Sequence, residues 1–164
     1  MTQLKAVGIA GTLKDVNDNF AALGPVGADV GLGALRVARF EFDAGVVANR
    51  TVAAHGTGVT IPANAIIVGG FVNVNTLFTS ANANNGTIAI SVEGANDIIS
   101  AAAVSGAPYS SIGRKAIIPK ANTPESTSVL ASVAREITCT VAVSALLTGM
   151  LSGFLNYVEG SVSA

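Results

Sequence analysis

From residue 35 onward, apolar and polar residues alternate in short runs with a period of two, which is the pattern of half-buried β-strands. In the run LRVARFEF, which begins there, Phe40 and Phe42 fall on one face and charged residues fall on the other. The longest run covers residues 65–78 and contains Gly69-Gly70, a pair that predicts a bulge or a bend.

Turn signals separate these runs. Asn85-Gly86 is a favoured pair for a type I′ hairpin, and alternation resumes at the next residue, so we expect residues 66–78 and 87–93 to pair antiparallel. Residues 98–105 fit either a short helix or a strand. About eight short strands, without a long amphipathic helix, predict an all-β fold: an antiparallel β-sandwich of jelly-roll-like form.

One uncharged stretch, residues 137–158, is long enough to span a bilayer if it is helical. Thr138 and Thr140 alternate with apolar residues, however, and Thr148-Gly149 interrupts the middle of the stretch. We therefore expect two strands joined by a turn, and no membrane partner.

The first 34 residues keep neither the strand period nor the helical period, and they contain six of the 18 glycines. They predict an extended N-terminal arm, residues 1–34, ahead of a single β-sandwich domain, residues 35–164. Such an arm gains stability only by lying on its own domain or on a neighbour. The residues expected to anchor it, and so to contact a partner, are Phe20, Leu23, Val30 and Leu32.

Charge is scarce in this chain: 12% of residues are charged and 50% are hydrophobic, whereas an average soluble domain has about 25% charged residues. The net charge is −1, and no basic block is present to bind phosphates, so nucleic-acid binding is disfavoured. A surface with so few charges favours a protein that buries much of its exterior against other proteins.

The segment SVEGANDI places two carboxylates, Glu93 and Asp97, four residues apart. Glycoside hydrolysis uses such a pair, but the chain has no Trp and only 5% aromatic residues to form a sugar platform. The favoured interpretation is that Glu93 ends a strand, Gly94 permits a turn, and Asp97 caps the segment that follows.

Other residues with reactive side chains are scattered. In the run ITCTVAV, Cys139 shares one strand face with Ile137, Val141 and Val143, which predicts a buried and unreactive thiol. The single histidine, His55, lies outside any nucleophile motif and is interpreted as a loop or strand-end residue. We predict no catalytic residue, no metal site and no cofactor.

Two loop features are candidates for partner contacts. Arg114 and Lys115, together with Lys120, form a small basic cluster that is either a solvated loop or a contact for an acidic partner. Tyr109, in GAPYSS, is the one loop aromatic expected to be a candidate sugar contact.

The chain contains, in order, the segments TVAAHGTGVTIPANAIIVGGFVNVNTLFTS, GTIAISVEGANDIISAAAVSG and REITCTVAVSALLTGMLSGFLNYVE. Together they resemble the β-rich structural proteins of tailed-bacteriophage virions, notably small head decoration or cement proteins and related fibre-type proteins. The likeness covers most of the chain, residues 35–159.

The resemblance implies a jelly roll or a similar sandwich, often a homotrimer, that binds the major capsid protein on the outer surface of an icosahedral head, between capsomers, and stabilises the shell. It implies a non-enzymatic protein on the capsid surface of the virion, present in the host cytoplasm during assembly, whose terminal arm reaches across neighbours. The alternative is a receptor- or carbohydrate-binding module of a phage fibre or tail appendage.

Overall fold

The computed structural model describes residues 35–120 and 127–159, and these residues form nine β-strands. A 3₁₀-helical turn, Val47–Arg50, and a tight turn, Ala81–Asn84, lie between strands. The strands are β1 (Leu35–Asp43), β2 (Ala54–Ile61), β3 (Ala65–Ser80), β4 (Thr87–Ser91), β5 (Ile99–Ala103), β6 (Gly113–Ile117), β7 (Val129–Leu130), β8 (Arg135–Ala142) and β9 (Leu146–Glu159).

The strands form two sheets. In sheet A the order is β1-β9-β3-β6, and the two-residue strand β7 pairs with β3 on the same edge as β6. In sheet B the order is β2-β8-β4-β5. The pairings among the described strands are antiparallel.

This strand order is that of a jelly roll. The pairs nest along the chain, β1 with β9, β2 with β8, β3 with β6 and β4 with β5, as they do when one long antiparallel hairpin is rolled up. Two further pairings, β9 with β3 and β8 with β4, complete the sheets. The predicted all-β class, the antiparallel sandwich and its jelly-roll form are confirmed.

The core lies between the two sheets and follows from the period-two alternation of the strands. On β8, Ile137, Cys139 and Val141 point inward as expected. The expectation for Val143 is wrong, because this residue has left the strand with a φ of 65° and is 66% exposed. The largest fully buried side chains are Tyr109, Phe40, Ile61, Ile67, Ile88, Ile90, Ile98, Ile137, Leu146, Leu151, Leu155 and Val72.

The ring of Phe40 packs directly against the backbone of the neighbouring strand at Gly153, its register partner. A Cβ atom at position 153 would overlap that ring. Glycine is therefore required at this position by the close approach of an aromatic core residue.

The predicted bulge at Gly69-Gly70 is confirmed. The register of β3 against β9 shifts between Ile67 and Gly69, so Val68 has no partner in the ladder.

The predicted hairpin at Asn85-Gly86 is wrong, because β3 belongs to sheet A and β4 to sheet B. Asn85 has a φ of −86° and a ψ of −2°, which excludes a type I′ turn. Instead, the turn Ala81–Asn84, in which Asn82, Ala83 and Asn84 have positive φ, carries the chain from one sheet to the other.

The glycine of that pair has a different function from the one expected. The backbone N–H of Gly86 donates a hydrogen bond of 2.8 Å to Ser80 Oγ, and a Cβ at position 86 would lie 2.7 Å from the Ser80 Cβ. Gly86 thus allows the two strand ends to meet where the chain changes sheet.

The two strands expected within residues 137–158 are present as β8 and β9, but the turn is not at Thr148-Gly149. The turn lies at residues 143–145, and Thr148-Gly149 is part of β9. Residues 98–105, for which helix and strand were both open, contain the strand β5. Within residues 35–120 and 127–159, no helix is long and apolar enough to cross a membrane.

The expected arm, residues 1–34, and its anchors Phe20, Leu23, Val30 and Leu32 lie outside the described residues. The arm and its boundary with the sandwich domain therefore stay predictions.

Replacing Gly153 by Ala should lower the free energy of unfolding by about 1–3 kcal/mol, because the added methyl group forces Phe40 out of its position in the core. Urea unfolding measures this. The matched control is Gly94→Ala, since no atom lies within 4 Å of an added Cβ there and the change should stay within about 0.5 kcal/mol. Equal stability of the two variants would show that Phe40 has room to move.

Candidate protein-interaction surface

The outward side chains of sheet A, here called the A face, include several large apolar residues that are open to solvent. The exposed fractions are 63% for Leu35, 58% for Val37 and 47% for Val68. Because residues paired across antiparallel strands point to the same side, the register defines rows of neighbours across this face.

The first row is entirely apolar. It runs Leu35, Val158, Ile66, Leu130 across β1, β9, β3 and β7. Leu130 is 54% exposed, so both ends of the row are open to solvent. A contiguous apolar strip of this kind marks a surface that is suited to binding another protein.

An aromatic row lies further along the same face. Phe154 and Phe71 are register partners on β9 and β3, and their rings stack with centroids 4.6 Å apart and planes 24° apart. Arg39 places its Cζ 5.8 Å from the centroid of Phe154, and Arg114 places its Cζ 4.8 Å from the centroid of Phe71. Cation–π attraction thus holds a guanidinium group against each ring.

The next row carries opposite charges at its two ends. Glu41, Ser152, Asn73 and Arg114 are register partners across β1, β9, β3 and β6. Glu41 accepts a hydrogen bond of 2.6 Å from Arg39 through its Oε1 atom. This row of the A face is therefore acidic at the β1 edge and basic at the β6 edge.

The outward face of sheet B is different in kind. It is built from small side chains, and it forms a shallow depression of about 520 Å³. Its strands contribute to that depression Thr87, Ala89, Ser91, Ala101, Thr138, Thr140 and Ala142. Such a face offers little side-chain area or charge to a partner.

The loops at one end of the sandwich, residues 44–53, 81–86, 104–112 and 143–145, form a second candidate surface, here called the apolar loop end. Their exposed large residues are Val46, Val47, Val52, Ile112 and Val143. The charged groups Glu93 and Arg135 lie at the opposite end of the sandwich.

The carboxylates of SVEGANDI serve the structure of a turn, as the favoured interpretation expected. Asp97 accepts hydrogen bonds from the backbone N–H groups of Val92, Glu93 and Gly94, at 2.9, 2.9 and 2.8 Å. Asp97 thus caps residues before it, whereas we expected it to cap residues after it.

Glu93 binds across to the loop before β8. Its carboxylate accepts a hydrogen bond of 2.6 Å from Ser132 Oγ and one of 3.1 Å from Arg135 Nε. The Ser132 hydrogen bond, followed by the Arg135 contact, lowers the pKa of Glu93 below its ordinary value. Both carboxylates thus accept hydrogen bonds that hold the local structure together.

The expectation that Tyr109 is a solvent-facing loop residue is wrong. Its side chain is fully buried, its ring meets that of Phe78 edge-on with centroids 5.7 Å apart, and burial raises the pKa of its hydroxyl. The loop folds this ring into the end of the core, because burying it removes a large apolar area from water. The ring of Tyr109 is therefore not available to a sugar.

The two expected basic contacts differ in their surroundings. Lys115 Nζ donates to the backbone carbonyl oxygens of Ser111, Ile112 and Gly113 at 3.0, 3.3 and 3.2 Å, so it closes its own loop. Arg114 belongs instead to the A face, where it covers Phe71.

The reactive residues are placed in structural settings. Burial raises the pKa of the Cys139 thiol to about 12, so the thiol is protonated at neutral pH. His55 lies at the start of β2, and its Nε2 lies 2.8 Å from the carbonyl oxygen of Thr51. Among the described residues, no group of three metal-ligating side chains comes together.

Sequence reasoning did not assign Phe71, Phe154, Leu35 or Leu130 to a contact surface. A signal is present for Ile66 and Val68 on the same face: in AIIV, residues 65–68, successive residues are apolar, so both faces of β3 are apolar there.

No protein-family model and no curated protein sequence matches this chain. Chains in solved capsid structures share its fold. A chain in the acidic stable capsid structure of Helicobacter pylori bacteriophage KHP30 superposes with a TM-score of 0.55 at 11% identity, over 79% of this chain and 91% of that chain.

Two further structures contain similar chains. In the cyanophage Pam1 capsid asymmetric unit, the TM-score is 0.53 at 15% identity, over 77% of this chain and 86% of the other. In the capsid of Ralstonia phage GP4, the TM-score is 0.51 at 17% identity, over 79% and 87%. At these identities the likeness concerns the fold.

Replacing Glu93 by Gln should lower the free energy of unfolding near neutral pH, and this difference should shrink as the medium is acidified. The folded-state pKa of Glu93 is depressed, so its stabilisation is complete above the ordinary carboxyl pKa of about 4.3 and is lost as the pH falls through the lower folded-state value. Urea unfolding at about pH 7 and about pH 3 measures both limits. A difference that stays constant between them would contradict the ion-paired state of Glu93.

Proposed function

We propose that this protein is a non-enzymatic structural component of a bacteriophage virion, which binds the major capsid protein on the outer surface of the head shell, between capsomers, and stabilises the shell. The observation that carries the proposal is the jelly roll, which is shared with chains of three phage capsids over 86% to 91% of their lengths. The likeness extends to nearly the whole of each small chain.

The composition supports the same function. A chain with 12% charged residues, and with large apolar side chains exposed on one sheet and at one end, has surfaces that are suited to burial against protein. A shell offers many equivalent sites, so a modest affinity per copy stabilises the whole particle through repetition.

We assign attachment to the shell to the apolar loop end, together with the N-terminal residues Phe20, Leu23, Val30 and Leu32, which stay proposed contacts. Val47 is 71% exposed and Val143 is 66% exposed, although both are large apolar residues. Contact with a capsomer joint would remove these side chains from water, at about 25 cal/mol per Å² of apolar surface. The number of copies that assemble stays a prediction of the resemblance.

Particles that lack this protein should release their contents at a lower temperature than complete particles, because the added copies bridge neighbouring capsomers. Heating both kinds of particle while nucleic-acid release is followed by dye fluorescence measures this. Adding the purified protein back should restore the release temperature. Identical release temperatures in all three samples would overturn the stabilising function.

Val47→Asp should bind such particles at least about tenfold more weakly than the unaltered protein, since burying an unpaired carboxylate costs more than the roughly 1.4 kcal/mol that corresponds to tenfold. Co-sedimentation with particles that lack the protein gives the bound fraction. Val133→Asp is the matched control, because Val133 is 51% exposed in the loop at the other end of the sandwich, before β8. Equal binding by the two variants would show that the apolar loop end is not the attachment surface.

A further inference from the structure

The residues at the two edges of the A face are complementary to each other. In the apolar row, Leu35 lies at the β1 edge and Leu130 at the opposite edge. In the charged row, Glu41 lies at the β1 edge and Arg114 at the β6 edge. In each of these two rows, the residue at one edge can therefore form a favourable contact with the residue at the other edge: an apolar contact in the first row and an ion pair in the second.

A two-fold axis exploits this arrangement. If the axis lies in the contact plane and runs parallel to the strands, it exchanges the two edges and keeps each row at its own level. Leu35 then faces Leu130 of the second copy, and Glu41 faces Arg114 of the second copy. Two apolar contacts and two ion pairs form at once, while the stacked rings of Phe71 and Phe154 meet their counterparts in the centre.

Arg114 is the strongest indication that the partner comes from outside the chain. Within residues 35–120 and 127–159, its guanidinium group has no hydrogen-bond or ion-pair partner, and it lies over the ring of Phe71. The other guanidinium on this face, that of Arg39, already binds Glu41. A guanidinium held over an aromatic ring, with its donors unused, is suited to binding a carboxylate across an interface.

The size of the face is sufficient for a specific contact. Four strand positions about 4.8 Å apart, each about nine residues long at about 3.3 Å per residue, give roughly 600 Å² per copy. Two copies then bury about 1,200 Å² in total, which is the lower end of the range for specific protein interfaces. Aligned packing of two such sheets is the arrangement found in β-sandwiches.

We propose that two copies of this chain associate face to face through the A face, around a two-fold axis parallel to the strands, whereas the resemblance implies a homotrimer. This association is independent of attachment to a capsid shell, because it uses a different surface and is measured with the pure protein. Failure of either proposal leaves the other standing.

The experiment uses two full-length variants, Arg114→Glu and Glu41→Arg, and sedimentation velocity to measure mass. Both side chains are exposed, so both variants should fold, which circular dichroism checks. In each variant alone, the two ion pairs become like-charge contacts, and the dissociation constant should rise at least about tenfold. An equimolar mixture should form a mixed dimer near the wild-type affinity, because every contact between positions 41 and 114 across the interface then joins opposite charges.

Three results would overturn the proposal. The first is a wild-type chain that stays monomeric, and the second is a mixture that stays as weakly associated as the separate variants. The third is a wild-type trimer that also forms with the double variant Glu41→Arg, Arg114→Glu but not with the mixture of the two single variants. A ring of three copies gives this result, because two variants cannot alternate around three positions. Recovery of a dimer in the mixture would support the two-fold contact.

Discussion

The structure depends on the pairing of β9 with both β1 and β3. This strand of 14 residues joins the first strand of the sandwich to the third: it pairs with β3 from end to end and with β1 from Met150 to Val158. The nested order of the jelly roll follows once β9 lies there, because β8 must then enter the other sheet beside β2 and β4. The same pairing places Phe154 between Arg39 and Phe71, three residues that are far apart in the chain. The core and the A face are therefore two sides of one register.

The sequence predicts the strands well and their partners poorly, for a physical reason. Period two reports that one face of a segment is buried, which identifies most of β1 and β3, and identifies β8 up to Val141. Pairing depends on which segments meet in space, and the local signal at Asn85-Gly86 was misleading on that point. The glycine is needed because Gly86 approaches Ser80, and the polar residues around it adopt positive φ where the chain crosses between sheets. A hairpin turn and a crossover between sheets require similar residues, so only the tertiary structure separates them.

The candidate surfaces were less predictable than the fold. Tyr109 lies in a segment rich in Gly, Ser and Pro, which is typical of exposed loops, yet its ring fills the end of the core beside Phe78. Phe71 and Phe154 lie in strands, where aromatic residues are expected inside, yet they stack on the outside of sheet A. In both cases the outcome depends on which side of the backbone packs against the rest of the core. The alternation of apolar and polar residues does not predict that side where successive residues are apolar.

The partners of the charged side chains help to explain why the chain has so few of them. Ion pairs join Arg36 to Glu159 and Glu93 to Arg135, and Asp97 caps a turn. Other charged groups, such as Lys115, donate to or accept from the backbone of their own loops. Burying a charged side chain at an interface costs free energy unless a hydrogen-bond or ion-pair partner is present. A protein whose surface is buried against other proteins therefore keeps charged residues mainly where its own fold supplies that partner. Arg114 departs from this pattern among the described residues, because its guanidinium lies over an aromatic ring and has no hydrogen-bond or ion-pair partner there. The departure lies at the edge of the most apolar exposed sheet, which is where a carboxylate of another molecule would meet it.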